Sequence, residues 1–212
     1  MPDPQFMARY LTSKANKGDP RLRSALGEII RRISAALPEL KEPVRMYLAG
    51  GMAVNFFTGY RPTVDVDASF SHRLLLPRAE DLVVSYTGSD GKPKLVYFDL
   101  NYSTSFALMH PDFEKDAYRV EGNEFQDPKI QLYVVTPIDL ALSKVSRFEE
   151  NDREDIAELA RHNLIDPSAL VDRAEVAMEY YIGDPSSLRI NLKEALDIIH
   201  AARTGLKGET EG

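Results

Sequence analysis

The chain has 212 residues, of which 43% are hydrophobic and 28% are charged, the proportions of an ordinary globular protein. Its formal net charge of −7 argues against a uniformly basic nucleic-acid-binding protein, and the lack of cysteine excludes disulfides and thiolate metal sites within it. No apolar run reaches the length of a membrane span, and the first residues lack the basic and apolar pattern of a signal peptide. We therefore expect a cytoplasmic location.

Predicted helices begin at four places where a capping side chain precedes a proline at the first helical position. These places are Asp19-Pro20, Thr136-Pro137, Asp166-Pro167 and Asp184-Pro185. The first of these helices is predicted to run to about Leu37. One apolar face recurs along it at helical spacing, formed by Leu22, Leu26, Ile29, Ile30 and Ile33.

The segment between the first and second of these helices has the pattern of several short strands. The predicted strands are 44–49, 64–70, 81–86, 94–102, 117–120 and 130–135. A helix that follows Gly50-Gly51 is predicted to close near Gly59, and the turn 88–91 joins two strands. The order predicts an α+β fold, with a small mixed sheet and flanking helices followed by a helical C-terminal half.

Two carboxylates stand one residue apart in the predicted strand 64–70. Side chains at i and i+2 of a strand share a face, so Asp65 and Asp67 should project together. The opposite, core-facing set is Val64, Val66 and Ala68. Neighbouring carboxylates repel each other unless a cation lies between them, and oxygen ligands suit a hard ion such as Mg²⁺. The preceding Gly50-Gly51 allows close backbone approach, and the helix N-terminus after it suits an anion.

This combination resembles the signature of the polymerase-beta-type nucleotidyltransferase superfamily. The resemblance is closer to small bacterial nucleotidyltransferase-like proteins that include AbiEii-type toxins of toxin–antitoxin systems, because later segments also match. Those segments are Thr136-Pro137-Ile138-Asp139-Leu140-Ala141-Leu142-Ser143-Lys144, then Arg147, then Asp152-Arg153-Glu154-Asp155-Ile156. The matching region spans residues 44–160.

The resemblance implies that the glycine turn holds a nucleoside triphosphate (NTP) and that three carboxylates hold two Mg²⁺ ions. Asp99 is the third carboxylate, on a predicted strand where it shares a face with Tyr97 and Asn101, opposite Val96, Phe98 and Leu100. The alternative for Asp99 is an exposed edge strand. The expected catalytic and metal-binding residues are Asp65, Asp67 and Asp99. The expected nucleotide-binding residues are Gly50, Gly51, Arg61, Thr63, Lys144, Arg147 and Asp155.

Several of these assignments have structural alternatives. Arg61 either contacts phosphate, orients the acidic strand by a salt bridge, or lies on a surface loop. Lys144 either reaches the nucleotide or extends its ammonium group from a helix into solvent. Asp155 is expected to pair with or orient Lys144.

The chain is expected to comprise a nucleotidyltransferase core with its N-terminal helix (1–135), a helical region packed on that core (136–206) and a polar tail (207–212). Apolar positions of the region 166–203 should be buried by their helical spacing. The basic residues expected at its surface are Arg173, Arg189, Lys193 and Arg203.

The resulting functional hypothesis is a Mg²⁺-dependent transfer of a nucleoside monophosphate from an NTP to an acceptor hydroxyl. By resemblance, the acceptor is a tRNA or a protein, and the protein is a toxin that an antitoxin protein neutralises. One alternative is the modification of a small molecule such as an aminoglycoside. Another is a nucleotide- or RNA-binding protein that keeps the fold without turnover.

Overall fold

A computed structural model describes residues 19–60 and 63–209, without the side chains of Phe106 and of residues 206–209. The fold is α+β, as the sequence predicted. The helices are α1 (Pro20–Ala36), α2 (Gly50–Thr58), α3 (Phe113–Asp116), α4 (Pro137–Val145), α5 (Glu150–Arg161), α6 (Pro167–Glu179) and α7 (Ser186–Glu209). The strands are β1 (Val44–Leu48), β2 (Asp65–Val66), β3 (Ala68–Phe70), β4 (Val83–Thr87), β5 (Pro93–Phe98), β6 (Tyr118–Arg119) and β7 (Ile130–Val134).

The chain divides into two compact units. The sheet unit contains the described residues up to Tyr102 together with Ala117–Val135, and it carries α1, α2 and strands β1–β7. The helical unit contains Ser103–Asp116 and the described residues from Thr136 onward, and it carries α3–α7. No helix in the described part of the chain is both long enough and apolar enough to cross a membrane.

The strands of the sheet unit form two sheets within the described residues, in the orders β3–β1–β7–β6 and β2–β5–β4. In the first, β1 is parallel to β7 and antiparallel to β3, and β6 is antiparallel to β7. In the second, β5 is parallel to β2 and antiparallel to β4. The hairpin between β4 and β5 was predicted from the sequence.

Helix α1 has both features from which the sequence predicted it, an N-terminal cap and apolar residues at helical spacing. The Asp19 carboxylate accepts a hydrogen bond from the Arg21 N–H at 2.9 Å, and Pro20 follows at the first turn. The predicted apolar face is buried, with all five of its side chains at most 1% exposed. This face packs on the β2–β5–β4 sheet, because α1 contacts both β4 and β5.

The predicted strand 64–70 is interrupted, which corrects the sequence-based prediction. Residues 65–66 pair with β5 and residues 68–70 pair with β1, so the chain leaves one sheet and enters the other at Asp67. Val66 and Ala68 are buried as expected, but Val64 is 58% exposed. Val64 lies just before β2, so its side chain does not follow the alternation of buried and exposed side chains that a longer strand would impose.

The strand predicted over residues 94–102 also ends early. Strand β5 closes at Phe98, and Leu100, expected on the buried face, is 40% exposed. The Asp99 Oδ1 atom accepts a hydrogen bond from the Asn101 N–H at 2.8 Å. This local turn competes with continued strand pairing and places Asp99 just after the strand rather than within it.

The helical unit follows the predicted pattern of capped helices. Thr136 Oγ1 accepts from the Asp139 N–H, and the Asp166 carboxylate accepts from the Ala169 N–H, at the starts of α4 and α6. The fourth predicted start differs slightly, because α7 begins at Ser186 rather than at the proline before it.

Arg173 does not lie at the surface, contrary to the prediction. Its guanidinium donates to both carboxylate oxygens of Asp139, at 2.6 and 2.7 Å, and to Asp116 at 2.9 Å. Arg173 is 8% exposed and Asp139 is fully buried, so the pair links α6 to α4. Helical spacing could not reveal this contact, because the carboxylate that draws Arg173 inward lies 34 residues away.

The other predicted surface cations differ in exposure. Arg203 is half-buried and donates to the Ile165 carbonyl at 2.7 Å. Arg189 forms an exposed ion pair with Glu175 at 2.9 Å, and Lys193 is exposed. Only Arg189 and Lys193 of the four therefore agree with the prediction.

Candidate active site

The Gly50-Gly51 turn lies between β1 and α2 and forms the floor of the candidate site. Gly50 has a φ of 59°, a left-handed conformation that favours glycine. Helix α2 starts at this turn without a side-chain cap, because its N-cap residue is Ala49. The arrangement brings the N-terminal end of a helix dipole to a half-buried backbone turn, which is a common way to bind phosphate.

Asp67 packs directly on this turn. A Cβ atom added to Gly50 would overlap the Asp67 carboxylate, so the two residues meet only because Gly50 has no side chain. The Ala49 N–H donates a hydrogen bond to the Asp67 carbonyl oxygen at 2.8 Å. This bond holds Asp67, where the chain passes from one sheet to the other, next to the glycine turn. The glycine turn and the second aspartate, which are 17 positions apart in the sequence, therefore form one feature.

Thr63 connects the other glycine to the first aspartate. Its hydroxyl donates to Asp65 Oδ1 at 2.5 Å, and a Cβ added to Gly51 would lie 3.3 Å from the same hydroxyl oxygen. Thr63 is 7% exposed and Asp65 is half-buried, so this hydrogen bond is partly shielded from water. Thr63 positions the Asp65 carboxylate, which is a role that the sequence analysis did not identify.

The third aspartate follows the strand that pairs with β2. Asp65 lies opposite Tyr97 in the parallel β2–β5 register, and the Asp99 N–H donates to the Val66 carbonyl at 3.1 Å. This backbone bond keeps Asp99 beside the 65–67 segment although β5 has already ended. All three aspartates are half-buried.

Two tyrosines that the sequence analysis did not assign to the site have raised pKa values, to which the charges of the aspartates contribute. The charge of Asp65, followed by burial and the charges of Asp99 and Asp67, raises the pKa of the Tyr97 hydroxyl. Burial, with a smaller contribution from Asp67, raises the pKa of Tyr102. All three carboxylates therefore act on the Tyr97 phenol. The sequence analysis placed Tyr97 on the same strand face as Asp99, and this placement could have identified Tyr97 as a site residue.

The donor atoms suit Mg²⁺ when substrate is present. In nucleotide sites Mg²⁺ commonly takes one or two carboxylates together with waters and substrate phosphates. Asp65 and Asp67 flank the buried Val66 and supply two such carboxylates. Within residues 19–60 and 63–209, no three histidine, cysteine or acidic side chains form a group that could hold a metal ion. Two carboxylates leave coordination positions of Mg²⁺ for waters and substrate phosphates.

Lys144 belongs to a buried ion cluster in the helical unit. Its Nζ atom lies 2.6 Å from Asp155 and 3.3 Å from Asp152, and the side chain is 8% exposed. Arg147 donates to Asp152 through Nε at 2.9 Å and through a second nitrogen at 3.0 Å. The expected pairing of Lys144 with Asp155 is present. The sequence analysis missed the central role of Asp152, because its contacts form only when α4 and α5 pack together.

The nucleotide-binding roles predicted for Lys144, Arg147 and Asp155 stay predictions, and the predicted site residue Arg61 lies outside the described residues. A separate surface cleft of about 570 Å³ lies beside β6 and β7 in the sheet unit. None of the predicted site residues lines it.

Comparison with known proteins identifies the class of the chain as the nucleotidyltransferases. Residues 24–198 match the family described as "nucleotidyltransferase of unknown function (DUF6036)". This match covers well over half of the 212 residues, so the chain belongs to that family. Curated proteins and solved structures give no match. The predicted resemblance is confirmed at the level of a nucleotidyltransferase with a nucleotide substrate, and the AbiEii-type subgroup stays a prediction.

Proposed function

We propose that the protein transfers a nucleoside monophosphate from an NTP to an acceptor hydroxyl in a Mg²⁺-dependent reaction at Asp65, Asp67 and Asp99. The observation that carries this proposal is the packing of the Asp67 carboxylate on Gly50. It brings the residues suited to a metal ion and the turn suited to a triphosphate together. Membership of a nucleotidyltransferase family supports the same chemistry.

Each part of the site then has a defined task. The Gly50-Gly51 backbone and the N-terminus of α2 receive the triphosphate, since the two glycines add no side chain of their own to the turn. Asp65, oriented by Thr63, and Asp67 would hold Mg²⁺ together with the substrate phosphates. When bound, Mg²⁺ neutralises charge on the phosphoryl group that is transferred. Asp99, held beside them by its backbone bond to Val66, would complete the acidic set.

Nucleotide-binding roles for Lys144, Arg147 and Asp155 are proposed on the strength of the sequence resemblance alone. Arg147 is 63% exposed, although two of its guanidinium nitrogens already donate to Asp152. The buried Lys144 is held by two carboxylates, so its contribution would be that of a fixed positive charge. Asp155 would orient that charge.

The acceptor and the biological role rest on the resemblance as well. We propose a tRNA or a protein as the acceptor, and a cytoplasmic toxin that an antitoxin protein neutralises as the role. Transfer to a small molecule such as an aminoglycoside, or nucleotide binding without turnover, are the competing functions. Product identification separates them.

The direct test incubates the protein with Mg²⁺, each α-labelled NTP, and total cellular RNA and protein. We expect one class of acceptor to become labelled. Asp65→Asn and Asp67→Asn should lower the rate on the order of 10³-fold, equivalent to about 4 kcal/mol, because each removes a charged metal ligand. Asp112→Asn is the matched control, since Asp112 is exposed and lies in the helical unit. Near-normal transfer by either site variant would overturn the assignment.

A further inference from the structure

The β2–β5–β4 sheet presents apolar side chains to solvent on the face opposite α1. Val84, Val96 and Phe98 point to the buried side, at most 7% exposed. Their alternating neighbours Val83, Leu95 and Tyr97 are 37%, 57% and 41% exposed. Val83 and Tyr97 are strand partners, and Leu95 is two residues from Tyr97, so the three exposed side chains form a small apolar patch.

The register of the sheet places this patch beside the candidate catalytic residues. Tyr97 is the direct partner of Asp65 on one side and of Val83 on the other. Leu95 precedes Tyr97 by two residues and therefore shares its face. Tyr97 thus lies between Asp65 on one neighbouring strand and Val83 on the other, with Leu95 beside it on its own strand.

We infer that Tyr97 is a substrate-contacting residue whose ring stacks on a nucleobase at the candidate active site, with Leu95 and Val83 extending the apolar surface. The inference rests on the proposed function, because it places a nucleobase where phosphoryl transfer occurs. A nucleobase has flat, uncharged faces, and stacking on an exposed aromatic ring is a general way to hold one.

The local charge favours a neutral ring over an anionic ligand at this position. Asp65, the strand partner of Tyr97, and Asp99, two residues further along the chain, would repel a phosphate or an acidic peptide placed on the ring. A base is uncharged at neutral pH and can lie against the ring while its own phosphates reach toward the glycine turn. The base belongs either to the NTP or to a nucleic-acid acceptor.

The test uses the absence of tryptophan from the chain. In Tyr97→Trp the new indole is the sole tryptophan, and stacking on a base should quench its fluorescence saturably. One titration uses each NTP with Mg²⁺, and the other uses a single-stranded RNA oligonucleotide without NTP. Tyr180→Trp is the control, because Tyr180 is 68% exposed but lies in the helical unit.

Quenching by NTP would assign the stacked base to the incoming nucleotide, and quenching by RNA alone would assign it to the acceptor. No quenching in either titration, from a variant that still transfers label, would overturn the role of Tyr97 and leave the proposed function standing. Failure of the wild-type protein to transfer label from any NTP would instead count against the proposed function.

Kinetics provide a second, independent readout. Tyr97→Phe keeps the ring and should leave KM for the base-bearing substrate within about twofold. Tyr97→Ala should raise that KM about tenfold, as expected for loss of one stacking contact. Equal KM values for Tyr97→Ala and the wild type would contradict the inference.

Discussion

Single residues determine whether the glycine turn and the acidic segment can meet. Gly50→Ala places a Cβ on a left-handed backbone, which costs about 1–2 kcal/mol, and the same atom would overlap the Asp67 carboxylate. We expect the free energy of unfolding to fall by more than about 2 kcal/mol and transfer activity to be lost, because Asp67 must move. Thermal or urea unfolding measures the first effect, and the labelling assay measures the second.

The variant Gly91→Ala separates the effect of backbone strain from the effect of overlap with Asp67. Gly91 also has a positive φ, 75°, but a Cβ added there meets nothing within 4 Å. This control should show the cost of backbone strain alone, about 1 kcal/mol, with normal activity. If Gly50→Ala and Gly91→Ala behave alike in both measurements, the close approach of Asp67 to the turn has no consequence.

At the scale of elements, the junction of α4 and α5 depends on a buried carboxylate. Burial raises the pKa of Asp152, but its hydrogen bond from Arg147 and the charge of Lys144 outweigh that effect, so the pKa lies below its ordinary value of 3.8. A lowered folded-state pKa means that Asp152 stabilises the fold above the unfolded-state pKa. That stability is lost as the pH falls through the folded-state value.

Asp152→Asn should therefore destabilise the protein at neutral pH by about 2 kcal/mol. This is less than the roughly 3–5 kcal/mol of a fully broken buried pair, because Lys144 keeps Asp155 as a partner. The difference between variant and wild type should shrink below about pH 4, as urea unfolding across pH can measure. Glu150→Gln is the control, an exposed charge in the first turn of the same helix. A pH-independent difference would rule out the ion pair as its cause.

At the scale of the whole molecule, substrate binding should be visible as stabilisation. A ligand at 100 times its Kd stabilises the folded state by about 2.7 kcal/mol, which is about 5–10 °C in Tm for a chain of this size. We expect this shift from at least one NTP in the presence of Mg²⁺. It should largely disappear in the double variant Asp65→Asn/Asp67→Asn, because that variant lacks two of the three proposed acidic groups of the site.

The comparison must be made with metal present and with metal chelated. An NTP that stabilises the wild-type protein equally in both conditions would indicate binding without the proposed Mg²⁺ contact. A protein indifferent to all four NTPs would contradict the proposed nucleotide site as a whole.

The sequence predicted features whose causes lie within a few residues of one another. The apolar period of α1, its Asp19-Pro20 start and the Gly88–Gly91 hairpin all depend on local spacing and capping, and each is found in the structure. The glycine turn and the aspartates were likewise recognisable as a pattern. Their residue types and order are properties of the sequence itself.

Only the tertiary structure decided how these local features combine. The change of sheet at Asp67, the early end of β5 and the pairing of Asp65 with Tyr97 follow from which strands align, and that depends on residues far apart in the chain. The same holds for Arg173, which lies buried because Asp139 and Asp116 meet it there. The sequence by itself determined the chemical groups and the local elements of this protein. Long-range pairing of strands and buried charges determined which groups meet, because their energies depend on contacts that no local pattern contains.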